Sequence, residues 1–318
     1  MKYIDKFYEY RWGVFNHFLY VIQNNPDLPN SRGLCTSWDE LVNEFDAEAL
    51  AKQLNEIGAK YYVITVMQGT KYMIAPNSAF DKIAGTKPGE ACSTRDLVMD
   101  ISNALEKYGI DLFLYFTGDG PYKNEDIGRR FGFIEPRENG VTNDFVVRWA
   151  SVLKEYSLRY GSKIKGWWID GCYRDWFKYT DELLKLLYDA CKAGNPDAIV
   201  ALNGGLFDDL TMNYPDEDFV CGEFNELGFL PKERFVNGKA QAHILSPLGT
   251  QDCGIGASWG SFGLAYEPQY IADYVCALHN AGGVITFDIG VYRDGSFSKE
   301  QIDALRALRK SNTFVSER

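Results

Sequence analysis

Short runs of apolar residues alternate along the chain with longer stretches in which apolar positions recur every three or four residues. The runs predict strands at 14–18, 60–66, 112–117, 166–169, 198–202, 219–222, 242–246 and 284–289. The periodic stretches predict helices at 47–57, 93–108, 143–160, 180–193, 268–281 and 298–309, each with its apolar positions on one face. Gly58, Gly109, Gly161, Gly194 and Gly282 follow predicted helices, where a left-handed residue commonly ends a helix before the next strand. Strand and helix therefore alternate as β/α units, which implies a parallel sheet. Eight strands, with no G-x-G-x-x-G after the first to hold a dinucleotide, point to an α/β fold of the (β/α)8 TIM-like barrel type rather than a doubly wound sheet. The segments after the fifth and sixth strands carry no clear helical period, so the barrel is expected to be irregular there.

Composition narrows the picture. The chain has 318 residues, 46% of them hydrophobic, enough for one large core, and α/β barrels reach this length as one unit. Residues 1–318 are accordingly read as a single catalytic barrel domain without linker or repeat. A formal net charge of -11 argues against nucleic acid and anionic membrane surfaces, whose phosphates call for Lys and Arg clusters. No apolar run approaches the ~20 residues that cross a bilayer, and the first residues lack the apolar core of a signal peptide, so the expected location is the cytoplasm. The 7 cysteines lack C-x-x-C spacing and the 3 histidines lack H-E-x-x-H spacing, so reduced thiols, no metal and no cofactor are expected.

In a barrel of this kind the chemistry collects where strands open onto their C-terminal loops, which converts the strand assignment into a residue list. The clearest case is Trp167-Trp168-Ile169-Asp170-Gly171, a buried-strand pattern that ends in a carboxylate followed by glycine. Asp170 fits either a catalytic acid or the N-cap of a following helix. The other strand exits carry His17, Gln68, Asp119, Asn203, Glu223, Glu226, Asp252 and Asp288, with Tyr20, Trp38, Tyr72 and Trp259 nearby. Carboxylates, amides and aromatic faces, without a Ser-His-Asp or Cys-His set, suit sugar chemistry: two carboxylates cleave a glycosidic bond, amides bond hydroxyls, and rings pack on C–H surfaces. A small-molecule glycan or glycoside is the expected partner, and a homo-oligomer is left open.

Several segments together resemble the α-L-fucosidases of glycoside hydrolase family 29. Trp12-Gly13-Val14-Phe15-Asn16-His17-Phe18 is similar to that family's F-G-I-F-x-H-W-G, and Phe45-Asp46-Ala47 with Gly58-Ala59-Lys60-Tyr61-Tyr62-Val63-Ile64-Thr65 to its F-D-A and G-A-K-Y-x-V-L-T. Arg95-Asp96-Leu97-Val98 and the run from Tyr108 to Tyr115 look like its third unit. Trp168-Ile169-Asp170-Gly171 resembles W-F-D-G, Ser258-Trp259-Gly260 resembles S-W-G-Y, and Ile289-Gly290 with Asp294-Gly295 resembles I-G-P-x-x-D-G. The ordered set runs from Trp12 to about Leu308. Two features depart from it. Met67-Gln68-Gly69-Thr70-Lys71-Tyr72 stands where the family has K-H-H-D-G-F, and Gly204-Gly205 follows Asn203 in place of an arginine. A single barrel without the C-terminal β-sandwich common in the family is therefore expected.

The resemblance implies a retaining exo-glycosidase of α-L-fucosidase type. It makes Asp170 the nucleophile and Glu223 the first choice for acid/base, with Asp252 and Glu226 as alternatives. Resemblance and strand exits together assign substrate contact to His17, Gln68, Asn203 and Trp259, and to Trp38 and Tyr20 with them. The missing histidine pair keeps two other readings open: a catalytically silent carbohydrate-binding barrel, and a glycosidase for a sugar other than fucose. Isomerase or lyase chemistry with Asp170 as a general base is a third.

Overall fold

The structure is a computed structural model that describes residues 2–133 and 139–313. Among the described residues nine strands form: β1 (Trp12–Asn16), β2 (Tyr61–Thr65), β3 (Asp111–Thr117), β4 (Ile164–Asp170), β5 (Ile199–Leu202), β6 (Phe235–Val236), β7 (Ala240–Gln241), β8 (His243–Pro247) and β9 (Val284–Asp288). Seven of them make one parallel sheet in the order β5-β4-β3-β2-β1-β9-β8, while β6 and β7 pair as a small antiparallel ribbon. Helices Ala47–Ile57 and Asn143–Tyr160 occupy the spans that periodicity predicts. The helix expected at 93–108 is shorter, Leu97–Glu106, because the Asp96 side chain caps it by accepting from Met99 N while Ser93 and Thr94 bond Asp39.

The sheet curls so that its two faces become two cores. Phe15, Val63, Phe113, Tyr115, Trp168, Ile199, Ala201 and Leu245 pack together inside the curl. The intervening residues, among them Val14, Tyr62, Leu114, Trp167, Val200 and Ile244, pack outward against the helices. The strands of the large sheet therefore carry apolar residues on both faces, as the uninterrupted runs require. Helix Tyr3–Tyr10, which sequence periodicity leaves out, closes the floor. Its Phe7 ring lies 5.1 Å from Tyr61 and 5.3 Å from Phe219, and the Asp111 carboxylate accepts from Tyr3, Lys6 and Tyr10 of the same helix.

The sixth strand is where expectation and structure part. Residues 218–224 run between β5 and β8 and close the (β/α)8 barrel, but they pair there only through isolated bridges, Phe219 with Gln241 at the end of β7 and Glu223 with Leu245 of β8. Asp218 N donates to Val200 O at 2.9 Å on one side, and Leu245 N donates to Gly222 O at 2.8 Å on the other. The reason lies in side chains that take the backbone acceptors. His243 Nδ1 is 3.1 Å from the carbonyls of both Val220 and Cys221, and Trp168 Nε1 donates to Cys221 O. Gly222 then turns the chain at φ +56°, with a Cβ there only 1.8 Å from His243 O. No helix forms between β5 and Pro268–Asn280, in line with the expected irregularity. Gly194 corrects the reading of the helix-ending glycines: Ala193 caps that helix, and Gly194 is there because a Cβ would meet Ser157 O at 1.8 Å.

Gly222→Ala should therefore lower unfolding free energy by roughly 2–3 kcal/mol, since it combines a strained φ with overpacking. Gly238→Ala, at φ +68° with nothing within 4 Å, serves as the control and should cost about 1 kcal/mol. Equal denaturation midpoints for the two variants would contradict this account of barrel closure.

Candidate active site

Alternation along the strands brings the polar exits together. On β4 the inward residues are Gly166, Trp168 and Asp170, and two-residue steps from Ile199 and Ala201 and from Phe219 and Cys221 bring Asn203 and Glu223 to the same rim. Asp170 Oδ2 accepts from Tyr115 Oη at 2.6 Å, and Oδ1 accepts from Tyr173 Oη at 3.1 Å and Asn203 Nδ2 at 2.9 Å. The same Asn203 nitrogen donates to Glu223 Oε2 at 2.6 Å. A carboxamide nitrogen has two hydrogens, one for each carboxylate. The bonded oxygens of Asp170 and Glu223 consequently lie no farther apart than the sum of 2.9 and 2.6 Å, which is 5.5 Å. Asn203 is itself fixed: it is 1% exposed, its amide N bonds Ile169 O, and its Oδ1 accepts from Gly205 N.

This arrangement sets the protonation of its members. Burial first, and the Asp170 charge second, push the Glu223 carboxyl up to about 8, while the Asn203 bond pulls the other way. The Tyr115 hydroxyl is raised by burial and then by Asp170, and that of Tyr173 by Asp170 and then by burial. Both tyrosines thus remain donors toward Asp170 at neutral pH. Tyr115 is held in place by stacking on Trp168 at 5.2 Å.

A pocket of about 230 Å³ opens above these groups. Its walls include His17, Gln68, Trp259, Tyr173 and Leu206 besides Asp170 and Glu223. His17 Nδ1 is 3.2 Å from Asp288 Oδ1, so Nε2 is the ring nitrogen left for the pocket. The other oxygen of Asp288 accepts from Gly260 N, which ties the Trp259 turn to the same carboxylate. Trp259 Nε1 donates to Asn225 Oδ1 at 3.1 Å. Gln68 Oε1 is buried without a hydrogen-bond partner in the protein.

Five of the expected site residues, His17, Gln68, Asp170, Glu223 and Trp259, line this pocket, and Asn203 links the two carboxylates beneath it. The other expected positions stand elsewhere. Asp252 is exposed and accepts from Gly254 N and Gly256 N in its own turn, and Glu226 is exposed outside the pocket. Trp38 is 3% exposed with its indole bonded to Met73 O, and Tyr20 stacks on Tyr72 at 4.2 Å, so neither reaches the pocket wall. Asp119 is buried beneath Gly171, where a Cβ would lie 2.9 Å from its Cγ. Asp170 does not cap a helix, since Tyr173 is the N-cap of Arg174–Phe177. Tyr115, Trp168, Tyr173 and Asn225 are pocket residues that the sequence reading misses. Tyr115 and Trp168 were legible as inward positions of their strands, whereas Tyr173 and Asn225 lie in loops that carry no period.

Among the described residues, no helix is long and apolar enough to cross a membrane, and no group of three or more His, Cys, Asp or Glu is placed to hold a metal ion.

Solved structures share this architecture. The endo-fucoidan hydrolase MfFcnA4 of glycoside hydrolase family 107 superposes with a TM-score of 0.69 at 14% identity, covering 93% of this chain and 52% of that one. The present chain thus spans about half of that enzyme's length. A GH29 alpha-L-fucosidase from Bacteroides thetaiotaomicron gives 0.67 at 19% identity, over 96% of this chain and 72% of that one. A variant of alpha-L-fucosidase AlfC in complex with Fuca(1,6)GlcNAc gives 0.67 at 18% identity, over 99% of both chains. At these identities the likeness shows the fold. Comparison of the sequence with curated proteins finds no match. The alpha-L-fucosidase family model matches residues 38–310, most of the chain, and the protein therefore belongs to the alpha-L-fucosidase family.

Proposed function

We propose that the protein is a retaining exo-glycoside hydrolase acting on α-L-fucosides, with Asp170 as nucleophile and Glu223 as acid/base. The observation that carries this reading is the single Asn203 nitrogen bonded to both carboxylates, which keeps them within 5.5 Å. Retaining glycosidases place their two carboxyl groups ~5–5.5 Å apart, whereas inverting ones leave ~6.5–9.5 Å for a water. Fucose is supported by family membership and by the fucosylated disaccharide bound to AlfC.

In the first step an Asp170 oxygen attacks the anomeric carbon as the carboxyl proton of Glu223 passes to the glycosidic oxygen, and the aglycone leaves as an alcohol. Once Asp170 is esterified its charge is gone, and with it one of the two causes that hold the Glu223 carboxyl up. Glu223 then favours its ionised form and takes a proton from the water that attacks the anomeric carbon. Asp170 departs as a carboxylate toward the Tyr115, Tyr173 and Asn203 donors that await its charge. Gln68 Oε1, His17 and Trp259 supply an acceptor, a ring nitrogen and an aromatic face for the sugar.

Release of p-nitrophenol from an aryl α-L-fucoside, beside a panel of other aryl glycosides, tests this reading. We expect fucoside hydrolysis, with kcat lowered at least about 10⁴-fold in Asp170→Asn and an unchanged circular dichroism spectrum. Near-normal turnover by Asp170→Asn would remove its role, and turnover of another glycoside alone would discard fucose while keeping the mechanism. The pH profile tests Glu223 separately. Because its folded carboxyl is raised, the acid form persists to about 8, and kcat/KM for an alkyl fucoside should fall as pH rises through that value. Glu223→Gln should lack that limb, and a limb that survives the substitution would assign the acid elsewhere.

A further inference from the structure

We infer that the protein takes glycosides whose leaving group is apolar next to the glycosidic oxygen, and that Leu206 and Phe207 form the shelf on which it rests. The inference rests on the proposed role of Glu223 as the proton donor, because the leaving group must stand beside the acid that protonates its oxygen.

Two spaces meet at Glu223. One is the pocket, whose wall includes Leu206. The other is a narrow cleft of about 10 Å³ whose lining joins Phe207, Phe224 and Glu223 with the polar Asn203, Asp209 and Thr211. The loop that leaves β5 through Asn203 therefore brings two consecutive large apolar residues to the two spaces that Glu223 borders. Both are open to solvent, Leu206 at 58% and Phe207 at 46%. Single exposed apolar residues are ordinary, but two in succession beside a polar site leave apolar surface open to a bound molecule.

The loop is held in this position. Gly205 N donates to Asn203 Oδ1 at 3.1 Å, and a Cβ on Gly205 would stand 3.7 Å from the Tyr173 ring, so the loop lies against the same tyrosine that bonds Asp170. Ile255 and Ala257 are also part of the pocket wall. No Lys or Arg lines the pocket, so the shelf offers nothing to an anionic leaving group. What it offers is apolar area, which favours alkyl, aryl or C–H-rich faces.

A series of methyl, propyl and butyl α-L-fucosides tests the shelf, because their leaving alcohols have nearly equal basicity and differ in apolar length. In the wild-type protein kcat/KM should rise about tenfold from methyl to butyl, given up to about fourfold per fully buried methylene. In Leu206→Ser and Phe207→Ser the butyl-to-methyl ratio should drop to about two, and both positions are exposed enough for the fold to persist. A ratio near one in the wild type, or a ratio that neither variant changes, would overturn the shelf while leaving the glycosidase reading intact. A dimer that dissociates in Leu206→Ser with an unaltered ratio would show that a second copy covers this surface instead. Failure of the glycosidase reading is separately visible, as absence of hydrolysis of every alkyl and aryl glycoside by the wild-type protein.

Discussion

The site turns on one amide nitrogen. Asn203 Nδ2 bonds Asp170 and Glu223 at once, and two carboxylates at that spacing resist sharing a site unless one of them keeps its proton. At about 5.5 Å and an effective dielectric near 20, two full negative charges repel by about 3 kcal/mol, roughly two pKa units. That is of the order needed, with burial, to hold Glu223 at about 8. Three donors converge on Asp170, and the tyrosines among them have hydroxyls raised too far to lose their protons. In the proposed mechanism Glu223 is accordingly the proton donor and Asp170 the nucleophile.

The barrel makes that geometry affordable by fixing each partner from a different strand. Asp170 ends β4, Asn203 follows β5, Glu223 ends the segment that closes the barrel, and Tyr115 comes from β3. The closing segment gives up regular pairing because the side chains of His243 and Trp168 occupy its carbonyls. Gly222 then bends the chain immediately before Glu223, so the irregularity aims the carboxylate. Beneath, Trp168, Leu245 and the Phe7 plug leave a void of only about 10 Å³, which gives the pocket a firm floor.

Much of this was legible in the sequence, and the misses have physical causes. Continuous apolar runs betrayed buried parallel strands, and the C-terminal exits of those strands named Asp170, Asn203 and Glu223, which a period-two step along them puts on one rim. The same step would have found Tyr115 and Trp168, had inward aromatics been weighed as supports for a carboxylate rather than as filling. Trp38 misled because an indole beside a strand exit is as well satisfied by a backbone carbonyl, here Met73 O, as by a ligand. Asp252 misled because a carboxylate before glycine is also a turn former, and it spends its oxygens on Gly254 and Gly256. The helix Trp38–Glu44 carries a capping box, Ser37 with Glu40, that was readable and passed over. Tyr173 had no periodic signal at all, since a loop residue acquires its role only when the fold brings it to Asp170.

The claim on which the rest depends is that Asp170 forms a covalent bond to the sugar, and trapping that bond tests it most directly. A 2-deoxy-2-fluoro-α-L-fucosyl donor with a good leaving group slows release of the intermediate, so the protein is incubated with it, digested with a protease and mapped by mass spectrometry. The account predicts one added sugar, carried by the peptide that contains Asp170. A sugar carried by any other carboxylate, or steady turnover of the donor with no adduct and with inverted product, would contradict it.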